Sequence, residues 1–269
     1  MPIYKGKTAD YFYQQKGQGE VIIFAHGLFV NYTIFESQVE SLQSNYTCYS
    51  FDLPGHGKST FNPDGWTLED IAKDFKQFII DNDIRKPTLV GLSQGGMVFL
   101  RLAANHPELI GRLVLVGSSH LAEYPDRIPL WKERIEMFRN SDKSEIEAMI
   151  TGIQQAIVSK DFIENHPTLC EKELQVMKSN NYQAMIPATE AAVINRKDVG
   201  DKLEKITCPT RIVVGTEDHA TPIEIAEEMK SKIQNASLAI IPGVGHHAPI
   251  EAAQLFTNEL TAFLNHNAL

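Results

Sequence analysis

Hydrophobic residues in this chain fall into short unbroken runs that alternate with longer segments of helical spacing. Unbroken apolar runs of about five residues are typical of strands that are buried on both faces. The runs of this kind are 21–25, 47–51, 88–92, 113–117, 211–215 and 237–241. We therefore predict six strands of a sheet that is covered on both sides.

Between these strands, apolar residues recur at the three- and four-residue intervals of an amphipathic helix. This spacing predicts helices over 68–82, 94–105, 223–233 and 252–264. Thr67 precedes the first of them and Asp70 follows three residues later, which is the pattern of a capping box. Strands that alternate with helices indicate βαβ units, so we predict an α/β fold with a mostly parallel sheet.

The alternation stops between the fourth and fifth predicted strands. Residues 118–205 are rich in charges and in helical spacing, with few strand-like runs. We predict two parts, an α/β core of residues 1–117 and 206–269 and a helical cap of residues 118–205. An insertion at this point lies over the carboxyl ends of the strands, where open α/β sheets bind ligands.

Composition and charge narrow the range of partners. The formal net charge of the 269 residues is −9, from 25 Lys and Arg against 34 Asp and Glu. A negative surface opposes binding to nucleic acid and to anionic membranes, so we expect neither as a partner. The expected partner is a small-molecule substrate that is neutral or apolar. The chain itself is expected to be a monomer or a homodimer.

The cysteines and the apolar segments indicate where in the cell the protein is expected. The three cysteines, Cys48, Cys170 and Cys208, are widely spaced and form no CxxC pair, so neither a disulfide framework nor a zinc site is expected. Residues 1–7 lack an apolar core of signal-peptide length, and no apolar run has the length of a membrane helix. A cytoplasmic location is the expectation.

The residues 91–95, Gly-Leu-Ser-Gln-Gly, match the pattern of a nucleophile elbow. In an elbow, a strand turns sharply into a helix and a serine sits at the bend. Glycines on both sides remove the clashes that bulky neighbours would cause. A predicted strand precedes this motif and a predicted helix follows it, so we predict that Ser93 is a catalytic nucleophile.

A serine nucleophile needs a histidine base and a carboxylate that orients the base, in the chain order Ser, acid, His for this architecture. His246 and His247 follow the strand predicted at 237–241, and Gly245 favours His246. Asp218 follows the strand predicted at 211–215, with Glu217 as the local alternative. We predict Ser93, Asp218 and His246 as the catalytic groups.

An oxyanion hole is also required. Gly27 follows the strand predicted at 21–25 and allows a turn that directs the next amide towards the site. The backbone N–H groups of Leu28 and Gln94 are the predicted donors. His26 lies next to this turn, and we interpret it as a structural residue that braces the loop.

Taken together, these residues resemble the α/β-hydrolase fold superfamily, in its branch of cap-bearing serine hydrolases of the esterase and lactonase type. The resemblance rests on five elements: His26-Gly27, residues 52–59 (Asp-Leu-Pro-Gly-His-Gly-Lys-Ser), the elbow at Ser93, residues 215–222, and Gly245-His246 followed by Glu251. It implies an eight-stranded, mostly parallel sheet flanked by helices, with a cap. A Glu five residues after the histidine favours His246 over His247.

The resemblance implies hydrolysis of a carboxylic ester or a lactone, including acyl-homoserine lactones and enol-lactones, without a cofactor or a metal. Carbon–carbon bond hydrolases and cofactor-free perhydrolases of the family use the same triad and remain alternatives. A small-molecule receptor on the same scaffold is an alternative of another class. For substrate contacts, we predict Phe29, Trp131 and Met185.

Overall fold

The computed structural model describes residues 2–267, which form one eight-stranded sheet with helices around it. The order of the strands in the sheet is β1-β2-β4-β3-β5-β6-β7-β8. The strands are β1 Ile3–Lys5, β2 Asp10–Lys16, β3 Glu20–Ala25, β4 Tyr46–Phe51, β5 Thr88–Leu92, β6 Arg112–Val116, β7 Thr210–Gly215 and β8 Ala236–Ile241.

Strands β3 to β8 run parallel to one another, whereas β1 pairs with β2, and β2 with β4, in the antiparallel sense. The prediction of a mostly parallel sheet in an α/β fold is therefore confirmed. All six predicted strands are present, and β5 and β6 are buried at every residue. The antiparallel strands β1 and β2 lie at the edge of the sheet and were not predicted.

The helices are α1 Glu36–Leu42, α2 Leu68–Asp81, α3 Gln94–Asn105, α4 Ile128–Asn140, α5 Lys143–Ile157, α6 Lys160–Asn165, α7 Pro167–Lys178, α8 Tyr182–Thr189, α9 Ile223–Lys232, α10 Ala248–Glu251 and α11 Ala253–His266. The predicted capping box of α2 forms, because the Thr67 side chain accepts from the Asp70 backbone and the Asp70 side chain accepts from the Thr67 backbone. The predicted helix 252–264 corresponds to α11, and the short helix α10 that precedes it was not predicted. In residues 2–267, no helix is both long and apolar enough to span a membrane.

Five helices, α4 to α8, lie between β6 and β7 and are followed by one turn of π-helix, Glu190–Ile194. They pack mainly on one another, α4 against α8 and α5 against α7. This helical stretch falls within the predicted insertion, 118–205, whose role as a separate cap stays a prediction. The loops after β3, β5, β7 and β8 all emerge at the carboxyl edge of the sheet, on which the candidate site is built.

Candidate active site

Ser93 lies at the sharp junction between β5 and α3. Its backbone has φ 49° and ψ −114°, a conformation that side chains rarely adopt. The junction is held by a hydrogen bond from Ser93 N to Val116 O (2.8 Å). It is crowded, because a Cβ at Gly91 would lie 2.3 Å from Gly96 N, and one at Gly95 would lie 2.1 Å from Ala25 O. Both glycines of the motif are therefore required by close backbone approach.

The predicted base and the predicted acid are in direct contact. His246 Nδ1 lies 2.9 Å from Asp218 Oδ2 and 3.0 Å from Oδ1, and both side chains are buried. A carboxylate beside Nδ1 fixes the proton on that nitrogen and leaves the lone pair on Nε2. His246 and Ser93 line one cavity, so the three predicted catalytic residues are brought together at one edge of the sheet.

Asp218 is held by donors from its own loop. Its Oδ1 accepts from the backbone N–H groups of Ala220 (3.0 Å) and Thr221 (2.8 Å), and its Oδ2 accepts from the Thr221 hydroxyl (2.8 Å). Burial raises the pKa of the Asp218 carboxyl, but His246 and the bonds from Thr221 outweigh burial and hold that pKa below its ordinary value. The carboxylate therefore stays charged beside the imidazole. Thr221 was not predicted from the sequence.

The two predicted oxyanion donors also lie at this edge. Gly95 N donates to His26 O (3.0 Å), which joins the loop after β3 to the elbow. Leu28 and Gln94 both line the cavity that contains Ser93. Within residues 2–267, the backbone N–H groups of Leu28 and Gln94 donate no hydrogen bond to a protein acceptor. Free amides beside a serine are the arrangement that an oxyanion hole requires.

Comparison with known proteins assigns the fold family. A family model described as alpha/beta hydrolase fold matches residues 20–253. The chain belongs to this family. The resemblance inferred from the sequence is thereby confirmed, and the sheet described above is that of an α/β-hydrolase.

Relatives of this α/β-hydrolase include enzymes that act on esters and lactones. It is 26% identical to the pimeloyl-[acyl-carrier protein] methyl ester esterase of Vibrio vulnificus, over 95% of this chain and 98% of the relative. The structure is similar to a thermophilic esterase from Thermogutta terrifontis, with a TM-score of 0.91, 24% identity and complete coverage of both chains. It is also similar to the enol-lactonase of Burkholderia xenovorans LB400, with a TM-score of 0.89 and 22% identity over 98% of this chain and 100% of that one.

His26 is fully buried at the end of β3 in this α/β-hydrolase. Its Nδ1 lies 2.6 Å from Gly27 O, and its Nε2 accepts from Leu53 N (2.9 Å). Burial, together with the neighbouring His56, holds the pKa of His26 well below its ordinary value, so the ring is neutral. These contacts agree with the interpretation of His26 as a brace of the loop rather than a base.

His247, the rival to His246, has a different partner. Its Nδ1 lies 2.5 Å from Glu173 Oε1 on α7, and both side chains are buried. Burial lowers the pKa of His247, but the charge and hydrogen bond of Glu173, with the carboxylates of Glu251 and Asp218, outweigh burial and hold it above the ordinary 6.5. The two adjacent histidines thus face different acids, and only His246 is paired with Asp218.

Glu251 and the inserted helices hold the histidine loop in place. Glu251 accepts hydrogen bonds from Gly245 N (2.9 Å), His247 N (2.8 Å) and Ser159 N (2.8 Å). The backbone N–H of His246 donates to Ile157 O at the end of α5 (2.7 Å). The histidine loop is therefore bonded to the helical insertion as well as to the core.

The loop after β3 is held by the insertion in a similar way. Asn180, just before α8, donates from Nδ2 to Phe29 O (2.5 Å) and accepts from Gly57 N (3.2 Å). Phe29 has a positive φ of 71°, and its N–H donates to His56 Nε2 (3.1 Å). Nothing in the local sequence pattern pointed to Asn180, because its contact with Phe29 depends on how the insertion packs.

The cavity beside Ser93 is mainly apolar. Of the three predicted substrate contacts, Phe29 and Trp131 line it, with their rings stacked at 6.5 Å between centroids. Met185 is fully buried in the packing of α8 and does not line the cavity, so the structure does not support its predicted substrate contact. The remaining apolar lining comes from Leu28, which was predicted only as an oxyanion donor, and from residues that were not predicted: Met97, Ile153, Ile157, Ala192, Val193 and Ala220.

Two charged residues from the insertion also line the cavity. Arg196 follows the π-helical turn, and its Nη2 lies 3.3 Å from Glu123 Oε2. The Arg196 side chain is 8% exposed and that of Glu123 is 9% exposed. Neither was predicted as a site residue, because an isolated Arg and an isolated Glu in a charged helical segment carry no periodic signal.

Proposed function

We propose that this α/β-hydrolase cleaves a carboxylic ester or a lactone through an acyl-enzyme formed on Ser93. The observation that carries the proposal is the buried His246–Asp218 pair, which shares one cavity with a serine held in an elbow. Esterases and an enol-lactonase among the similar proteins support the same reaction class. No step of the proposed reaction requires a cofactor or a metal.

In the acylation step, Ser93 Oγ attacks the carbonyl carbon and its proton moves to His246 Nε2. The carbonyl π electrons move to the oxygen, which receives hydrogen bonds from the amides of Leu28 and Gln94. Asp218 stabilises the imidazolium that forms. As the tetrahedral intermediate collapses, the bond to the leaving oxygen breaks and that oxygen takes the proton from His246 Nε2.

Deacylation repeats the sequence with water. His246 Nε2 accepts a proton from water, whose oxygen attacks the acyl carbon. The second intermediate collapses with return of the proton to Ser93 Oγ, which releases a carboxylic acid. For a lactone, the alcohol and the acid remain in one product.

Two measurements test this proposal. A fluorophosphonate probe should add one label to the native protein, at Ser93, and Ser93→Ala should abolish both labelling and turnover of p-nitrophenyl butyrate. We expect turnover to fall by about 10⁴-fold or more, because the nucleophile is lost. The matched control is Ser50→Ala, since Ser50 is a buried serine on β4 whose hydroxyl has no hydrogen-bond partner within the described chain.

Equal turnover by the native protein and Ser93→Ala would contradict the proposal. Absence of labelling and of turnover on all esters and lactones, together with tight binding of a small molecule, would favour a receptor on the same scaffold.

A further inference from the structure

The cavity beside Ser93 has a second polar region, distinct from the catalytic groups. It consists of Arg196 and Glu123, which we call the arginine end of the cavity. Arg196 Nη1 lies 3.1 Å from Ala192 O and 3.4 Å from Met97 Sδ, and Nη2 contacts Glu123. In an otherwise apolar pocket, a guanidinium gives one end of a substrate a specific partner.

The guanidinium is not saturated by the protein. Arginine has five N–H donors, and Arg196 Nε is buried without a hydrogen-bond partner among residues 2–267. Nε and Nη2 form one edge of the planar fork, and a carboxylate matches such an edge with two parallel hydrogen bonds. A buried unsatisfied donor is uncommon in native proteins and calls for a partner.

A second residue that lines the same cavity also has unsatisfied polar atoms. The side chain of Gln94 is 1% exposed, and neither its amide nitrogen nor its amide oxygen has a partner in the described chain. Gln94 lies beside Ser93, whereas Arg196 lies beyond Met97. The two residues with unsatisfied donors therefore line the cavity at different places, Gln94 beside the reactive serine and Arg196 at the arginine end.

The balance of charge at the arginine end is positive. Glu123 accepts from Arg196 and lies 4.0 Å from Arg127 Nη1, so two cations face one carboxylate. A third cation, Arg101, donates to Met97 O (3.0 Å) but is already paired with Glu69. The net charge around Arg196 therefore does not repel a bound anion.

The distance to Ser93 sets the size of the ligand. Met97 lies one helical turn after Ser93 on α3, about 6 Å along the axis at 1.5 Å per residue. Because Arg196 contacts the Met97 sulfur, a spacer of a few methylene groups connects a carbonyl at Ser93 with a charged group at Arg196.

From these contacts we propose that the substrate carries a carboxylate, a few bonds from the scissile carbonyl, that binds to Arg196. The substrate class is then the monoester of a dicarboxylic acid, or a lactone with a free carboxylate, which rests on the proposed hydrolase function. This differs from the neutral or apolar substrate expected from net charge, which describes the whole surface and not the pocket.

The test compares mono-p-nitrophenyl adipate with p-nitrophenyl hexanoate on the full chain. We expect native kcat/KM to be higher for the adipate ester. Arg196→Met should lower the ratio of adipate to hexanoate by about 10- to 100-fold, because a charge-assisted contact is lost while the apolar stem remains. Arg196→Lys keeps the charge without the fork and should give an intermediate ratio.

Arg127→Met is the matched control, because Arg127 is a more exposed arginine beside the same Glu123 but does not line the cavity. It should change the ratio by no more than about twofold. If circular dichroism shows that Arg196→Met is misfolded, Glu123→Gln tests the proposal instead. Removal of the competing carboxylate should raise the ratio of adipate to hexanoate kcat/KM. An unchanged or lower ratio in Glu123→Gln would count against the proposal.

Failure of this proposal and failure of the hydrolase function give different results. Cleavage of both esters with a ratio that Arg196→Met does not alter overturns the carboxylate site and leaves the hydrolase intact. If no ester is cleaved, titration calorimetry can still test the carboxylate site, by measuring adipate binding to Ser93→Ala and to Ser93→Ala/Arg196→Met. Binding lost only in the double variant supports the site, and equal binding or no binding to both overturns it.

Discussion

Replacement of Asp218 by Asn tests the proposed catalytic triad most directly. Oδ1 of Asp218 accepts from two backbone N–H groups, those of Ala220 and Thr221, which cannot rotate away. The amide oxygen of Asn must therefore occupy that position, and its NH₂ group must occupy the position of Oδ2. The NH₂ group then donates to His246 Nδ1, while the Thr221 hydroxyl rotates to accept the other hydrogen.

The NH₂ group, at the Oδ2 position 2.9 Å from Nδ1, favours the tautomer with the proton on Nε2, in competition with the amide oxygen, which lies 3.0 Å from Nδ1. In that tautomer, Nε2 can no longer accept the proton of Ser93. We expect kcat for p-nitrophenyl butyrate to fall by about 10³- to 10⁴-fold at pH 7, equal to about 4–5.5 kcal/mol of transition-state stabilisation. The fold should be nearly unaffected, because the substitution only replaces one carboxylate oxygen by an NH₂ group of similar size.

The assay is steady-state release of p-nitrophenolate by the native chain, Asp218→Asn and Glu217→Gln. The last is the control, because Glu217 is the neighbouring carboxylate and its contact is with Lys160 N (3.3 Å). Glu217→Gln should stay close to native activity. Retention of more than about a tenth of native kcat by Asp218→Asn would refute the argument from the tautomer.

Three further predictions concern packing, pH and the cavity. Gly95→Ala should lower the free energy of unfolding in urea by about 1–3 kcal/mol through its backbone clash. Gly152→Ala, whose Cβ meets nothing within 4 Å, should not lower it. Equal effects of the two substitutions would contradict the close approach of Gly95 to Ala25 O. Glu173→Gln should cost about 2–3 kcal/mol at pH 6. Because the pKa of His247 is raised on folding, this contribution is fully present below the ordinary value of 6.5 and is lost as pH rises through the folded pKa; a native advantage that grows with pH would show that the sign is wrong. Trp131→Ala should raise KM for hexanoate esters several-fold more than for acetate esters, since apolar contact is removed, and equal changes would place the acyl chain elsewhere.

The sequence predicts the parallel part of the sheet well because those strands are buried on both faces. Strands β5 and β6 have no exposed residue, so their apolar runs are unbroken. Strand β2 has only Tyr11 and Phe12 buried and ends in Gln14, Gln15 and Lys16, so neither periodicity nor composition marks it. Strands of this kind are defined by the strands with which they pair, here β1 and β4, and sequence alone does not provide these partners.

The same distinction applies to the site. Ser93, Asp218 and His246 each follow a predictable strand, so the topology of a parallel sheet brings them to one edge. Arg196 and Asn180 reach the site only through the packing of the inserted helices on the core. Met185 was predicted to contact the substrate but is buried away from the cavity. An apolar residue of a helix can face either a cavity or the core, and helical spacing does not distinguish between the two.

The hydrogen bonds between the insertion and the loops of the candidate site have a consequence for protein engineering. Ile157 O accepts from His246 N, and Asn180 donates to Phe29 O, so residues 118–205 support the backbone of the His246 loop and of the loop after β3. Exchange of this segment for that of another α/β-hydrolase therefore alters more than specificity. We expect a chimera to keep the native reaction rate only if the transplanted helices provide two groups. One is a hydrogen-bond acceptor for the backbone N–H of His246, and the other is a donor to the backbone oxygen of Phe29.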